Sequence, residues 1–401
     1  MSDFPPGPVR LPTERPSAFD PPTELAELRD KCPVARMDFP DGHQGWLVTS
    51  YPEVRSLLAD PGFSARQELH HHAPYDHPFG TEPIQPAEPG FFIGMDHPEH
   101  SRYRRLVAGQ FTKRRIAQLT PRIEEITESC LDAMEAQGAR EADLVEHFSQ
   151  PIPALAICEL LGVPVEDSER FRGAIRSFFD LGSDREESRD AFNAILEYLG
   201  ELISHKRAEP GDDLISGLIA REELTDQELA GISLLLLVAG YETTANMIAL
   251  GVYALISHPD QLALLREDPS LVDNAVEELL RYLPLSAGGM RAATRDTEVL
   301  GTQVKGGECV VLSLASANRD PARYGADADR LDLRRSAAGH VAFGHGPHQC
   351  LGSQLARLEM RTAFTALLRR FPGLRLAVAP EEVPLRDDHL IYGTHRLPIA
   401  W

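Results

Sequence analysis

The sequence predicts a mainly α-helical single domain carrying small β-sheets, and three observations predict it. From about Pro98 to Phe371 apolar residues recur mostly at helical spacing, broken by short turns such as Gly162-Val163-Pro164 and Glu209-Pro210-Gly211. Strand-like runs are short and lie mostly in the last quarter, without the strand-helix alternation of a doubly wound sheet. No repeat and no linker divides the 401 residues, so one domain over 1–401 is expected.

In chain order, residues 1–22 hold seven prolines, which cannot form helix interior and should wrap the surface as an extended arm. A short helix near Thr23 to Asp30, a strand near Gly45 to Thr49 and a helix opened by Pro52 and running to about Ala59 should follow. Residues 61–97 turn irregular and rich in Pro, Gly and His, and a loop of that length inside a compact protein reads as a ligand lid. Late strands are expected at Thr297 to Leu300, Cys309 to Leu312, Leu374 to Val378 and Arg396 to Ile399.

Composition narrows the function classes. Forty basic against sixty-one acidic side chains leave a formal charge of -21, which repels nucleic-acid phosphates and anionic lipid surfaces. Neither a nucleic-acid nor a membrane partner is expected. The longest apolar run, Ile232 to Ala239, falls far short of the roughly 20 residues that cross a bilayer. Met1 to Arg10 lacks a basic segment followed by an apolar one, so a cytoplasmic protein is expected, acting as a monomer. The five cysteines (Cys32, Cys130, Cys158, Cys309 and Cys350) are odd in number and widely spaced, which argues against a disulfide framework.

Two segments carry chemistry. Thr225-Asp226-Gln227-Glu228 has the form of a capping box, and the helix it opens should run to Pro259, about 45 Å at about 1.5 Å per residue. Leu234 to Val238 leave it no polar face, so it should be buried all round. Gly240, Glu242, Thr243, Thr244 and Asn246 then interrupt it. One reading is a local opening, with Thr243 bonded to the Ala239 carbonyl, Gly240 allowing a bend and Glu242 handling protons; the other is a satisfied acid and back-bonded hydroxyls in a core helix.

The second segment is Phe343-Gly344-His345-Gly346-Pro347-His348-Gln349-Cys350-Leu351-Gly352, followed by a strongly helical stretch from Ser353 to Arg370. Cys350 thus stands at a helix N-terminus, where free N–H groups and the helix dipole favour a thiolate, and its glycines let backbone approach a flat ligand. A zinc site of His345, His348 and Cys350 is a rival, as is a plain core cysteine.

This decapeptide resembles the haem-binding loop of the cytochrome P450 family, F-x-x-G-x-[RH]-x-C-x-G, at every defined position. Ala239-Gly240-Tyr241-Glu242-Thr243-Thr244 resembles its oxygen-activation motif and Glu278-Leu279-Leu280-Arg281 its E-x-x-R motif, in the family's order. Similarity also covers residues 97–105 and Asn318-Arg319-Asp320-Pro321, and looks most like the soluble actinobacterial members.

The resemblance implies a cytochrome P450 fold with haem b between the long helix and the cysteine loop. It makes Cys350 the axial thiolate and metal ligand, and places Phe343, Gly344, Gly352, Ala239 and Gly240 around the cofactor. His100, Arg104, Arg291 and His348 become partners of the haem propionates. Thr243 and Glu242 become the alcohol and acid that deliver protons during dioxygen activation. Glu278 and Arg281 become a buried structural pair shared with Arg330, although the usual P-x-R-F is here Ala328-Asp329-Arg330-Leu331. The pocket wall should draw on Phe91, Phe92, Ile93, Leu236, Leu237, Val238, Leu285 to Met290, Leu390, Ile391 and Tyr392, an apolar set suited to a macrolide, polyketide, terpenoid or steroid. Hydroxylation or epoxidation is the expected outcome. No flavin or ferredoxin domain follows Trp401, so electrons from NAD(P)H are expected through a separate ferredoxin and its reductase, docking on Arg102, Arg105, Lys113, Arg114, Arg115 and Arg357. A haem-based ligand sensor and a peroxide-driven peroxygenase are the alternatives. His70, His71, His72 and His77 are read as a solvated cluster, with a metal or pH-sensing role as the rival.

Overall fold

The proline-rich start docks as an extended arm. Val9 forms a parallel bridge with Met37. Further along, Phe19 packs its ring 4.7 Å from that of Tyr253, and its carbonyl accepts from the guanidinium of the buried Arg319. The computed structural model describes residues 7–71, 73–75, 84–182, 185–286 and 288–401. His72 and His77 lie outside them.

Helices dominate, and the expected ones form at Thr23–Lys31, Tyr51–Ala59 and Ser353–Arg370. The long helix runs Asp226–Ser257, opened by a complete capping box in which Thr225 and Glu228 exchange side-chain and backbone bonds. It packs against Pro151–Leu161, Arg185–Ala208 and Ser353–Arg370, which bury nearly every side it presents. By length and hydropathy it could cross a membrane, but 83% of that apolar stretch is buried in the protein, as befits a core helix.

Among the described residues strands gather in three small sheets. β1 (Val34–Asp38), β2 (Gln44–Val48), β3 (Phe63–Ser64), β5 (Gly289–Ala293) and β8 (Cys309–Leu312) form the largest, in the order β1-β2-β8-β5-β3. Its β2–β8 pair is parallel, with Trp46 opposite Val310, and the other pairs are antiparallel. β4 (Glu141–Asp143), β9 (Arg375–Leu376) and β10 (Pro398–Ala400) join in the order β4-β10-β9, and β6 (Thr297–Val299) pairs with β7 (Thr302–Val304). The late strands thus fall where expected, but the main sheet draws three strands from the first 64 residues. The expectation of strands mostly in the last quarter needs that correction.

The E-x-x-R pair ties the helix Val272–Tyr282 to the segment beneath it. Glu278 and Arg281, both fully buried, meet in two parallel bonds of 2.7 and 2.8 Å, and the guanidinium also donates to the carbonyls of Asn318, Ala328 and Arg330. The second cation on Glu278 is Arg335, at 3.3 Å, and not Arg330, which contributes only its carbonyl. Arg330 is exposed, because the chain turns at Asp327 to Arg330 and brings the later arginine inward. The Asn318 to Pro321 motif serves the same scaffold. Asn318 accepts from the Val341 N–H, Arg319 donates to Tyr282 and Asp329 carbonyls, and Asp320 accepts from the Tyr51 N–H.

Candidate active site

A cavity of about 430 Å³ lies between the long helix and the cysteine loop. On the helix its wall is Leu235, Leu236, Ala239, Gly240, Thr243, Thr244 and Met247, the i, i+1, i+4 stripe of one helical face. Leu237 and Val238, expected in the wall, sit a third of a turn away and are buried in the core instead. Thr243 Oγ1 donates to the Ala239 carbonyl at 2.8 Å, as expected, but the helix stays continuous through this stretch and does not open. With its proton engaged, the hydroxyl turns its lone pairs to the cavity.

Glu242 departs from expectation. It is 1% exposed and absent from the cavity wall. Its carboxylate pairs with Arg386 and accepts from Asn246 Nδ2 at 3.1 Å. One residue along a helix is a rotation of about 100°, which takes Glu242 out of the face Thr243 occupies.

The cysteine loop forms the opposite wall. The Cys350 N–H donates to the Phe343 carbonyl at 2.8 Å, closing the loop. Gly344 and Gly346 take φ of 67° and 75°, and a Cβ on Gly346 would stand 2.7 Å from the Ala59 Cα, so backbone lies directly on the helix Tyr51–Ala59. Phe343, Gly344, His348, Cys350 and Gly352 all line the cavity. Cys350 presents its exposed surface to the cavity. Burial pushes its thiol up, against the downward pull of the Gly352 N–H, Arg104, Arg357 and the Ser353 N–H. In the chain by itself desolvation therefore outweighs the helix-terminus effect expected to favour a thiolate. Other walls come from Phe92 and Ile93, and from Leu285, Ser286 and Ile391. The first pair is held over the cavity because Pro89-Gly90 lies directly on the long helix. A Cβ on Gly90 would meet the Glu228 carbonyl at 2.2 Å, and one on Gly231 the Pro89 carbonyl at 2.0 Å.

Four further expected wall residues are displaced for simple reasons. On β5, Gly289 and Arg291 face the cavity while Met290 points to the opposite side and packs with the cluster of Leu11, Met37 and Val311. Phe91 packs into the core beside Phe92, and Leu390 and Tyr392 line a separate small cavity under the N-terminal arm.

At one end of the cavity His100, Arg104, Arg291 and His348 line the wall together, and the rings of His100 and His348 lie 4.0 Å apart. Neither arginine has a salt-bridge partner among the described residues. Burial holds all four below their ordinary values, the neighbouring cations lower the two histidines further, and His348 falls to about 3. A cluster of unneutralised donors beside a solitary cavity-facing sulfur suits a flat apolar ligand with anionic substituents, which fits haem and its two propionates. By contrast, His345, His348 and Cys350 do not form a three-ligand cluster; among the described residues Asp388, His389 and His395 do.

Sequence reasoning missed Glu359, one turn and a half into the helix after Cys350. It lines the cavity, is 2% exposed, and its Oε2 has no hydrogen-bond partner. Burial raises its carboxyl well above the usual carboxylate range, which favours the neutral acid in the fold. An acid raised in this way costs stability progressively as pH climbs past its unfolded value. Glu359→Gln removes that cost, so its stability is expected to gain on the parent's as pH rises above the ordinary glutamate value of about 4.3, by at most about 1.4 kcal/mol per pH unit, and the two should converge in acid. A difference that stays flat over that range in thermal melts would mean an ionised Glu359.

A family model described as cytochrome P450 matches residues 174–395. Cytochrome P450 105C1 of a Streptomyces species is 52% identical over 396 residues, covering 98% of this chain and 99% of that protein. Cytochrome P450 monooxygenase PikC of Streptomyces venezuelae is 43% identical, covering 96% and 92%. Among solved structures, CYP105P1 in complex with filipin I superposes with a TM-score of 0.93 at 43% identity, covering 98% of this chain and 99% of that one.

Proposed function

The chain belongs to the cytochrome P450 family and is a monooxygenase of hydrophobic small molecules, and from that premise we propose how its own residues divide the work. The observation that carries the reading is the cavity with Cys350 on one wall and Thr243 on the other. Haem b, when bound, supplies the redox chemistry that cleaves the O–O bond of dioxygen. Cys350 would hold its iron, and His100, Arg104, Arg291 and His348 its propionates, whose negative charge answers four otherwise uncompensated donors.

Thr243 holds the proton-handling position, because its hydroxyl is the one of the alcohol–acid pair that reaches the cavity. Glu242 stands behind it, fixing Arg386 and so the loop that carries Ile391 into the wall. The apolar residues Phe92, Ile93, Leu236, Leu285 and Ile391 exclude water and take up a hydrophobic substrate. The relative crystallised with filipin I and PikC's standing as a monooxygenase support a natural product as that substrate, with hydroxylation or epoxidation as the outcome.

Electrons from NAD(P)H, carried by a ferredoxin and its reductase in the cytoplasm, complete the reading. Arg105, Lys113 and Arg114 are exposed without an acidic partner among the described residues, and the helix Lys113–Gln118 packs on Ser353–Arg370, on the cysteine side. A local basic face on a chain of charge -21 suits a small acidic carrier. Arg102, Arg115 and Arg357 are instead engaged with Glu228, Asp212 and Glu277 and contribute less.

The test is turnover of hydrophobic metabolites with a ferredoxin pair and NAD(P)H, after a screen for binding by the spectral shift of the haem. Thr243→Ala is expected to lower product per NAD(P)H by roughly 10-fold or more while NAD(P)H is still consumed, the mark of lost proton delivery. Unchanged coupling would remove Thr243 from that role. Equal turnover on hydrogen peroxide alone, insensitive to Thr243→Ala, would favour the peroxygenase.

A further inference from the structure

Outside the cavity lining, the loop 385–395 gathers Asp388, His389 and His395. Asp388 Oδ1 accepts from His389 Nδ1 at 2.8 Å and from His395 Nε2 at 3.0 Å, and the two rings meet edge to face at 5.0 Å. All three ligand atoms lie within 4.8 Å of one another. The side chain of His389 is 4% exposed, whereas those of His395 and Asp388 stand 37% and 59% exposed, so the group is anchored on one side and open to solvent on the other.

We propose that Asp388, His389 and His395 form a second, haem-independent site for a borderline divalent transition ion, with Zn²⁺ its natural occupant and a water completing the shell. Two imidazoles and one carboxylate are the donor set such ions take, with the fourth position open. Metal–ligand distances of about 2.0–2.2 Å in a tetrahedral shell put ligand atoms about 3.4 Å apart, so two of the three edges are already short and a modest turn of the half-exposed His395 ring completes the triangle. The surrounding charge agrees. Arg386 and Arg396, the arginines nearest in the loop, are committed to Glu242 and Asp143, and no basic side chain other than the two histidines pairs with Asp388 among the described residues.

The site's position gives it a consequence. The Asp388 carbonyl accepts from the Leu181 N–H at 2.9 Å, and the Leu390 N–H donates to the Phe179 carbonyl at 3.0 Å, so this loop is laced to the end of the helix Ser168–Phe179. The same loop carries Ile391 into the cavity wall. An ion bridging residues 388, 389 and 395 cross-links the two sides of the loop and steadies both the lacing and the wall.

Tag-free holoenzyme, treated with a chelator and dialysed against Zn²⁺, is expected to retain one ion per chain by elemental analysis. His389→Ala and His395→Ala should each weaken binding by more than the 10–100-fold that loss of an outer-sphere partner typically costs. Asp388→Asn, which keeps the side chain's shape, guards against misfolding; it too should bind less, with the carbon-monoxide spectrum of the haem unchanged. Hydrogen exchange at the Leu181 and Leu390 amides should slow when Zn²⁺ is added. Absence of stoichiometric binding, or binding equally strong in both histidine variants, would overturn the site; binding with no change in those two amides would overturn the clasp.

Discussion

Cys350→Ala is expected to abolish turnover and to erase the carbon-monoxide difference band from which the family takes its name. The four other cysteines offer no substitute. Cys130, Cys158 and Cys309 are buried in packed clusters, where desolvation pushes their thiols to about 11, 12 and 12, and none of the four lines the cavity. Cys32 bonds the Val34 carbonyl on the far side of the main sheet. The alanine chain should keep its far-ultraviolet circular dichroism, because residue 350 faces an open space and its removal unpacks little. A variant that retained the band would place the iron ligand elsewhere.

Arg281→Ala carries the largest expected effect on stability, about 3–5 kcal/mol, from a buried ion pair broken on one side. It strips Glu278 of its bidentate partner and leaves three backbone carbonyls unanswered, with Arg335 and the Asp332 N–H left to face the carboxylate. Glu278→Ala should cost less, because it strands the fully buried Arg281 whereas Arg335 keeps Asp327 at 3.0 Å. The measurement is the denaturant midpoint at unchanged slope. Below the unfolding transition, turnover per haem should persist in whatever fraction stays folded, since neither residue lines the cavity. A midpoint shift under about 1 kcal/mol would mean that the pair is relieved by solvent or neighbours.

The legible parts of the molecule were those in which local chemistry decides. The capping box at Thr225 to Glu228 and the Cys350 loop at its helix start announce themselves within ten residues, and both form where expected. β5 was not legible, because Gly-Gly-Met-Arg-Ala-Ala has no β-branched residue and becomes a strand only by lying between β8 and β3. Within the site the errors were of facing. A helix stripe separates Leu236 from Leu237 and Thr243 from Glu242, and strand alternation separates Arg291 from Met290, but which face meets the cavity is set by distant packing. Arg335 was missed for the same reason: a turn of the chain, not a motif, carries it to Glu278. Glu359 has no local signal beyond being an acid on an otherwise apolar helix face.

The parallel β2–β8 pair joins positions roughly 260 residues apart, so during synthesis at about 5–20 residues per second the hairpin of β1 and β2 waits on the order of 10–50 s for its neighbour. Throughout that interval the nascent polypeptide exposes a ready-made template of Trp46, Leu47 and Val48 to any other unfinished strand on a crowded ribosome. Yield in a foreign host is thereby tied to how well its chaperones shield an early hairpin, long before the cofactor pocket exists.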